Sequence, residues 1–337
     1  MRIKQNMCWI IKAVAAFLLA FLILNGISYF YYFIPYNMEC KTGATDFVFP
    51  SNFRGFNGEE GICSIKIDSN GYNNQSVPEK INILCMGSSH TLAYTVNPDE
   101  GYPAILNSKL QDENGMSAYN IGMFGHDWYC CINNLEAALA AFTPSDYIVV
   151  ETFYSKYEVK KLKKLNASKY GVAGSVASKS MQLIKKIPFL QLAGHQIKSM
   201  FAAASDESIT VTESTDNKIT KEYKDELDIT FNHISELVSE KGCKFVYLYH
   251  PDVKVDKEGK AYTDTEEEYL LYTKELCQKY DFIFVDMTQR FMDEYENSYI
   301  LPRGFSNTKI GYGHINKYAH AMIADELYEI VMEEEGK

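Results

Sequence analysis

Two short segments at opposite ends of the chain carry residues that could act together on an acyl group. Residues 87–91 read Gly-Ser-Ser-His-Thr and follow a short apolar run, and residues 311–316 read Gly-Tyr-Gly-His-Ile-Asn. A serine hydroxyl is a weak nucleophile until a base takes its proton, and histidine is the commonest such base. A serine that only caps a helix after a strand would explain residues 87–91 equally well if they stood alone.

The elements around these segments predict that both lie at one edge of a parallel sheet. Five apolar runs have the length of buried strands, and stretches with helical character lie between them. Strands that alternate with helices indicate a parallel sheet covered on both faces, with ligands at the carboxyl ends of the strands. The predicted strands are 81–86, 118–122, 147–150, 244–249 and 282–285, and the predicted helices lie near 99–111, 129–141, 218–241, 265–280 and after Asn316.

These residues resemble the SGNH/GDSL family of serine esterases and O-acyltransferases, over nearly all of the chain after residue 60. The resemblance rests on residues 87–91, on 120–125 (Asn-Ile-Gly-Met-Phe-Gly) and on 313–316, with a second histidine at His320. It implies a three-layer, flavodoxin-like α/β fold with a five-stranded parallel sheet. It also implies Ser89 as nucleophile, His314 as general base, and the backbone N–H groups of Ser89 and Gly125 as the oxyanion hole. Ser88 and His90 are then neighbours of the site.

Besides Ser88, which replaces the Asp of the family's first block, the chain departs from this family in two further places. Tyr312 and Gly311 stand where the family usually has an Asp that orients the histidine, so the acid residue is not identified. A backbone carbonyl or Glu151 could orient His314 instead. The family's oxyanion Asn is also absent, and Thr152, Tyr154 or Ser155 could donate in its place. Asn316 is predicted to cap the last helix beside the site, and His320 to be structural.

The N-terminal region predicts a membrane anchor. Residues 13–34 carry no charge and would reach about 33 Å as a helix, which is enough to cross a bilayer. Basic residues precede this run and aromatic residues end it, so we expect a cytoplasmic N-terminus and an uncleaved, single-pass anchor. A buried core helix is the alternative. The predicted organisation is a tail and anchor (1–35), an extracytoplasmic connector (36–80) and a catalytic domain (81–335).

The amino-acid composition of the chain limits the kinds of partner and cofactor that we expect. The net charge of −11 argues against nucleic acid, and the eight cysteines show no metal-ligand spacing, so we expect neither a metal nor a cofactor. Cys40 and Cys63 are candidates for a disulfide. An insertion at about 156–215 is rich in lysine: residues 156–198 hold ten lysines and one acid. This insertion is either an ordinary solvated helical segment or a surface that faces anionic lipid or glycan.

The function implied is an extracytoplasmic O-acyl (acetyl) esterase or O-acyltransferase that acts on a cell-envelope polysaccharide. Its partners would be the acylated or acyl-accepting glycan, the lipid surface and, for a transferase, a multi-pass membrane protein that delivers the acyl group. The missing Asp and Asn favour an alternative, which is a catalytically degenerate glycan-binding or assembly module. A lipase acting on membrane lipids is a third, weaker alternative.

Overall fold

The computed structural model describes residues 2–31, 33, 35, 40–167, 186–194, 196–197 and 219–336. Its strands are β1 (Arg54–Asn57), β2 (Cys63–Lys66), β3 (Ile83–Met86), β4 (Ala118–Asn120), β5 (Tyr147–Thr152), β6 (Lys244–Tyr249), β7 (Val253–Val255), β8 (Ala261–Thr263) and β9 (Ile283–Asp286). Its helices are α1 (Arg2–Tyr31), α2 (Ser89–Leu92), α3 (Tyr102–Asn114), α4 (Trp128–Asn133), α5 (Leu135–Phe142), α6 (Val159–Ala167), α7 (Lys221–Lys241), α8 (Glu267–Lys279), α9 (Thr288–Ser298) and α10 (Lys317–Glu334).

The central sheet has five parallel strands in the order β4-β3-β5-β6-β9. This is the flavodoxin-like order of a doubly wound sheet. Alternate strand residues face opposite sides: Leu84 and Met86 join a core with α4, α5, α7 and α8, whereas Ile83 and Cys85 join a core with α3, α9 and α10. The predicted three-layer α/β fold with a five-stranded parallel sheet is confirmed.

Several elements differ from the sequence-based expectation. The predicted helix near 129–141 is two helices, α4 and α5, which meet at Asn134. Helix α9 and the two antiparallel hairpins, β1–β2 and β7–β8, were not predicted. The hairpin strands are only three or four residues long, which leaves too few residues for a clear alternating pattern.

Residues 40–80 pack into the domain, although their Asn-, Gly- and Ser-rich composition reads as a connector. Phe49, Ile65 and Tyr72 are almost fully buried in the same core as Leu84. The polar residues of this segment also bind the sheet: the Asn74 side chain accepts from the Asn120 amide at 2.9 Å and donates to its carbonyl at 2.9 Å. β4 is an edge strand, and the Asn74 side chain therefore supplies the backbone hydrogen bonds that a further strand would otherwise make.

Helix α1 stands apart from these cores. Residues Met7–Tyr31 contain an 18-residue window with a mean hydropathy of 2.5, and none of that window is buried, so the length and composition of this stretch allow a membrane span. Its end contacts the β1–β2 hairpin. The Gly58 amide donates to the Tyr31 carbonyl at 2.8 Å, and the Tyr29 hydroxyl donates to the Arg54 carbonyl at 3.0 Å.

Two further expectations concern the cysteines and the insertion. Cys40 and Cys63 are free thiols, so the predicted disulfide is absent. The buried Cys63 thiol donates instead to the Tyr94 carbonyl at 3.2 Å.

Of the insertion, residues 168–185, 195 and 198–215 lie outside the described residues. Lysines of its described part form ion pairs, such as Lys156 with Glu266 at 2.9 Å and Lys161 with Glu158 at 2.6 Å.

Candidate active site

A sharp strand-to-helix turn presents Ser89 at the carboxyl edge of the sheet. β3 ends at Met86, and Ser88 caps the short helix α2 by accepting from the His90 amide at 3.2 Å. The turn needs glycine at position 87, because a Cβ there would lie 2.0 Å from the Thr91 hydroxyl and 2.5 Å from a carboxylate oxygen of Glu151. Ser88 and His90 are buried, whereas Ser89 is half-buried and opens toward solvent.

The structure brings Ser89 and His314 into hydrogen-bond contact across 225 residues of sequence. The Ser89 Oγ lies 2.8 Å from the His314 Nε2. His314 stands on a loop just before α10, and Asn316 caps that helix by accepting from the Tyr318 and Ala319 amides at 3.1 and 3.2 Å. The distance is the one that a serine needs to pass its proton to a histidine base.

Glu60 orients His314, and sequence reasoning missed it. The Glu60 Oε2 lies 2.6 Å from the His314 Nδ1, and its Oε1 accepts from the His314 backbone amide at 2.6 Å. Since Nδ1 donates to this carboxylate, Nε2 is left free to accept the serine proton. The expectation that a backbone carbonyl or Glu151 performs this role is wrong, because Glu60 occupies the Nδ1 side of the ring.

The loop that carries Glu60 joins β1 to β2 and is fastened from two sides. Asn57, 1% exposed, donates through its Nδ2 to the Glu60 carbonyl at 2.8 Å. On the other side, Asn307 accepts from the Gly61 amide at 3.0 Å and donates to the Gly58 carbonyl at 3.0 Å. The loop therefore has a defined position relative to the loop that carries His314.

Glu60 is held in its charged form. Burial alone would raise its pKa, but the hydrogen bonds from His314 and the nearby positive charge of Arg303 outweigh burial and lower the pKa below the ordinary carboxyl value. The carboxylate is therefore ionised at neutral pH, and it can stabilise an imidazolium on His314.

Glu151 lies beneath the nucleophile turn and does not contact His314. Its Oε2 accepts from the Ser88 amide at 2.8 Å, from the Ser88 hydroxyl at 2.9 Å and from the Thr91 hydroxyl at 3.1 Å. Its Oε1 lies 2.8 Å from the Nε2 of His250, and both side chains are fully buried. Burial would raise the pKa of Glu151, but its bonds with His250 and Ser88 lower it. Glu151 thus fixes the turn from below.

Arg303 connects this buried pair with the loop of His314. Its guanidinium donates to the Gly313 carbonyl at 2.9 Å, lies 3.4 Å from the His250 Nδ1 and 3.1 Å from the His90 Nε2, and forms an ion pair with Asp252. Burial, together with the nearby charge of Arg303, keeps the pKa of His90 well below its usual value. His90 is therefore a neutral neighbour of the site, with its ring 5.2 Å from that of His314.

The remaining predicted residues have structural partners. The Thr152 hydroxyl accepts from the Tyr154 amide at 3.1 Å and is buried, and the Tyr154 ring packs on Phe153 at 4.4 Å. Gly125 lies in the turn after β4 with a φ of +68°, a conformation that favours glycine. Its amide and that of Ser89 stay predictions as oxyanion donors. His320 is fully buried and accepts from the Tyr102 amide at 3.2 Å, as expected for a structural histidine.

A scan against protein-family models finds no match, and a search of curated proteins finds none either. Solved structures with a similar chain path include a two-domain esterase active on acetylated mannans (12% identity, 77% of this chain and 50% of that chain, TM-score 0.43). An acetyl xylan esterase (14%, 74% and 100%, 0.39) and a member of the lipolytic protein G-D-S-L family from Veillonella parvula (14%, 74% and 96%, 0.40) are also similar. In its motifs and in its strand order, the chain resembles the SGNH/GDSL hydrolases.

Proposed function

We propose that this chain is a membrane-anchored, extracytoplasmic serine O-acyl esterase or O-acyltransferase that acts on a cell-envelope polysaccharide. One observation carries the proposal: Ser89, His314 and Glu60 form a continuous hydrogen-bonded chain with contacts of 2.8 and 2.6 Å. This is the arrangement of nucleophile, base and orienting acid that acyl transfer requires.

The proposed reaction has two steps. The Ser89 Oγ attacks the acyl carbonyl carbon while its proton passes to the His314 Nε2, and Glu60 stabilises the resulting imidazolium. The backbone amides of Ser89 and Gly125 bind the oxyanion. His314 then gives the proton to the departing sugar oxygen, which leaves an acyl-serine. In the second step, water or another sugar hydroxyl gives its proton to His314 and attacks the acyl carbon. The acyl–Oγ bond then breaks, His314 returns the proton to the Ser89 Oγ, and the free acid or the acylated sugar leaves.

A cleft next to the loops of Glu60 and His314 is lined by residues whose chemistry suits a sugar. It holds about 570 Å³ and is lined by residues from both loops, among them Gly61 from the loop of Glu60 and Gly304 from that of His314. Tyr299 and Tyr318 also line it, with 78% and 47% of their surface exposed. Exposed aromatic rings with a polar tip offer sugars both an apolar face and a hydrogen-bonding group.

The anchor supports the choice of a cell-envelope substrate. If α1 spans the membrane, the basic residues Arg2, Lys4 and Lys12 favour a cytoplasmic N-terminus and an extracytoplasmic domain. Hydrolase and transferase share the acyl-serine and differ only in the acceptor, so a partner that delivers acyl groups across the membrane would favour the transferase.

The alternative of a degenerate glycan-binding module has lost part of its support. It rested on the missing Asp and the missing Asn, and Glu60 now occupies the position of an orienting acid. The missing Asn still stands as an argument for it.

Hydrolysis of a small acetyl ester by the purified full chain tests the proposal. We expect acetate release by the wild type and a loss on the order of 10⁶-fold in Ser89→Ala, because the nucleophile is gone. The same assay with an added sugar acceptor separates the two reactions, since a transferase forms acetylated sugar in place of free acetate. Equal rates for wild type and Ser89→Ala would contradict the proposal.

A further inference from the structure

A polar residue inside the apolar helix α1 has a partner from a distant part of the chain. The Asn25 Oδ1 accepts from the Phe189 amide at 3.1 Å, while its Nδ2 donates to the Phe21 carbonyl of its own helix at 2.8 Å. The rings of Phe21 and Phe189 also pack edge to face, with centroids 6.3 Å apart. The segment 186–194 of the insertion thus lies alongside α1.

This contact lies below the end of the apolar helix. Asn25 precedes Tyr31 by six residues, or about 9 Å along the helix axis. If α1 spans a bilayer, with the aromatic residues near Tyr31 at the headgroups, then Phe189 lies below the headgroups and within the upper part of the outer leaflet.

The first two residues of the helical segment 188–194 leave no backbone amide unpaired, which suits a position within the bilayer. The Gln191 amide donates to the Ile187 carbonyl at 3.0 Å, so this helix begins at Pro188. The first amides of a helix lack partners within the helix, and in lipid each unpaired amide is costly. Proline at the first position has no N–H to satisfy, and Asn25 accepts the next one, that of Phe189.

The side chains of the segment also suit the edge of a bilayer. Ile187, Phe189, Leu190 and Leu192 are apolar, as a segment in contact with acyl chains requires.

We propose that residues 187–194 insert into the outer leaflet beside α1, with Asn25 as the intramembrane cap of their helix, and so hold the active site at the headgroups. Past the segment, the Gln196 Nε2 donates to Glu59 at 3.2 Å, next to Glu60, and the end of α1 is bonded to Gly58 in the same loop. The consequence rests on the proposed function: the substrate of Ser89 is borne by the membrane surface and is not a freely diffusing polymer.

Tryptophan fluorescence of the full chain in nanodiscs made from brominated lipids tests the insertion without any assay of catalysis. In a Trp9→Phe background, the remaining Trp128 is buried in the domain core and gives a constant signal that reports folding. We expect the emission of Leu190→Trp to be blue-shifted and mostly lost when the lipids carry bromine on their acyl chains. Ile229→Trp, at a position 52% exposed on α7, is the control and should keep its emission.

The outcomes are distinct. Emission at position 190 that matches the control overturns the insertion. Addition of Asn25→Leu, which keeps α1 apolar, should restore part of the emission at position 190, and unchanged quenching overturns the role of Asn25 as cap. Trp9 in the unmodified chain reports separately on the anchor. If Trp9 is not quenched, α1 does not span the bilayer, and the anchor of the proposed function fails together with the insertion.

Discussion

Two carboxylate–histidine pairs lie close to Ser89, and they differ in exposure and in what they hold. Glu60 and His314 are 2.6 Å apart with side chains 19% and 21% exposed, whereas Glu151 and His250 are 2.8 Å apart and fully buried. Only the first pair contacts the Ser89 hydroxyl, while the second holds the backbone turn beneath it. The exposed pair, Glu60 and His314, can therefore transfer a proton where substrate enters. The buried pair, Glu151 and His250, holds the backbone of the turn in position.

Among changes in the two carboxylate–histidine pairs, Glu60→Gln should produce the largest effect. It preserves the size of the side chain but removes the charge that stabilises the imidazolium, so kcat for a small acetyl ester should fall on the order of 10⁴-fold. Stability should change by under about 1 kcal/mol, since the pair is partly exposed. Glu79→Gln, a charge removal at an exposed residue before β3, is the matched control. A Glu60→Gln enzyme with wild-type kcat would remove Glu60 from the mechanism.

Glu151→Gln should mainly lower stability. The change removes a buried charge that lies close to the buried Arg303 and leaves the Ser88 and Thr91 donors facing an amide, so the free energy of unfolding should fall by about 3 kcal/mol. Chemical denaturation measures this. If Glu151→Gln were as stable as wild type, the buried pair would not hold the turn as described.

His320 is also buried, but within the described part of the chain it forms its hydrogen bond with the Tyr102 amide and not with a carboxylate. Burial lowers the pKa of His320 to about 3. Its stabilising contribution is complete above the unfolded pKa of about 6.5 and is lost as the pH falls below that value, because the unfolded chain takes up a proton that the folded chain does not. Between pH 7 and 5 this loss amounts to about 2 kcal/mol.

The variant His320→Asn, whose Oδ1 can still accept from the Tyr102 amide, should therefore reduce the pH dependence of the free energy of unfolding by that amount. Denaturant titrations at pH 7 and 5 check this. A slope that is unchanged in His320→Asn would show that this histidine is not the source of the acid sensitivity.

The smallest effect is expected at the clamp on the loop of Glu60. Asn307→Ala removes two hydrogen bonds of 3.0 Å from an exposed side chain, so stability should fall by about 1 kcal/mol. A looser loop places Glu60 less accurately, and kcat should fall while KM for the small ester stays the same. A change in KM alone would mean that Asn307 acts on substrate binding and not through Glu60.

Local sequence patterns predict the central sheet and the pair Ser89 and His314. They do not predict that Glu60 is the acid that orients His314. Buried strands such as 147–150 are continuous apolar runs, and residues 87–91 and 313–316 are compact motifs. Glu60 comes from a short hairpin in a polar segment, and it reaches His314 only because residues 40–80 fold back onto the domain. A contact over 254 residues leaves no periodicity in the sequence. One signal was available in the sequence. The two consecutive acids Glu59 and Glu60 lie between two glycines, and this pattern predicts a turn that presents a carboxylate.

The buried contacts among Glu151, His250 and Arg303 could not be predicted from the sequence for a similar reason. Arg303 and His250 lie in ordinary loop sequence, and their roles follow from burial, which one sequence does not show. The position of Glu151 at the end of a strand makes it one candidate to orient His314, but it pairs with His250. Sequence gives the edge of the sheet on which a side chain lies and not the partner that it meets.

The most direct measurement is labelling by a fluorophosphonate probe, followed by mass spectrometry of the modified peptide. We expect the wild-type chain to be labelled on Ser89, and Ser89→Ala and His314→Ala to remain unlabelled. Glu60→Gln should be labelled much more slowly than Glu79→Gln. Absence of labelling in the folded wild type, or labelling that survives in Ser89→Ala, would contradict the claim that Ser89, His314 and Glu60 form a catalytic unit.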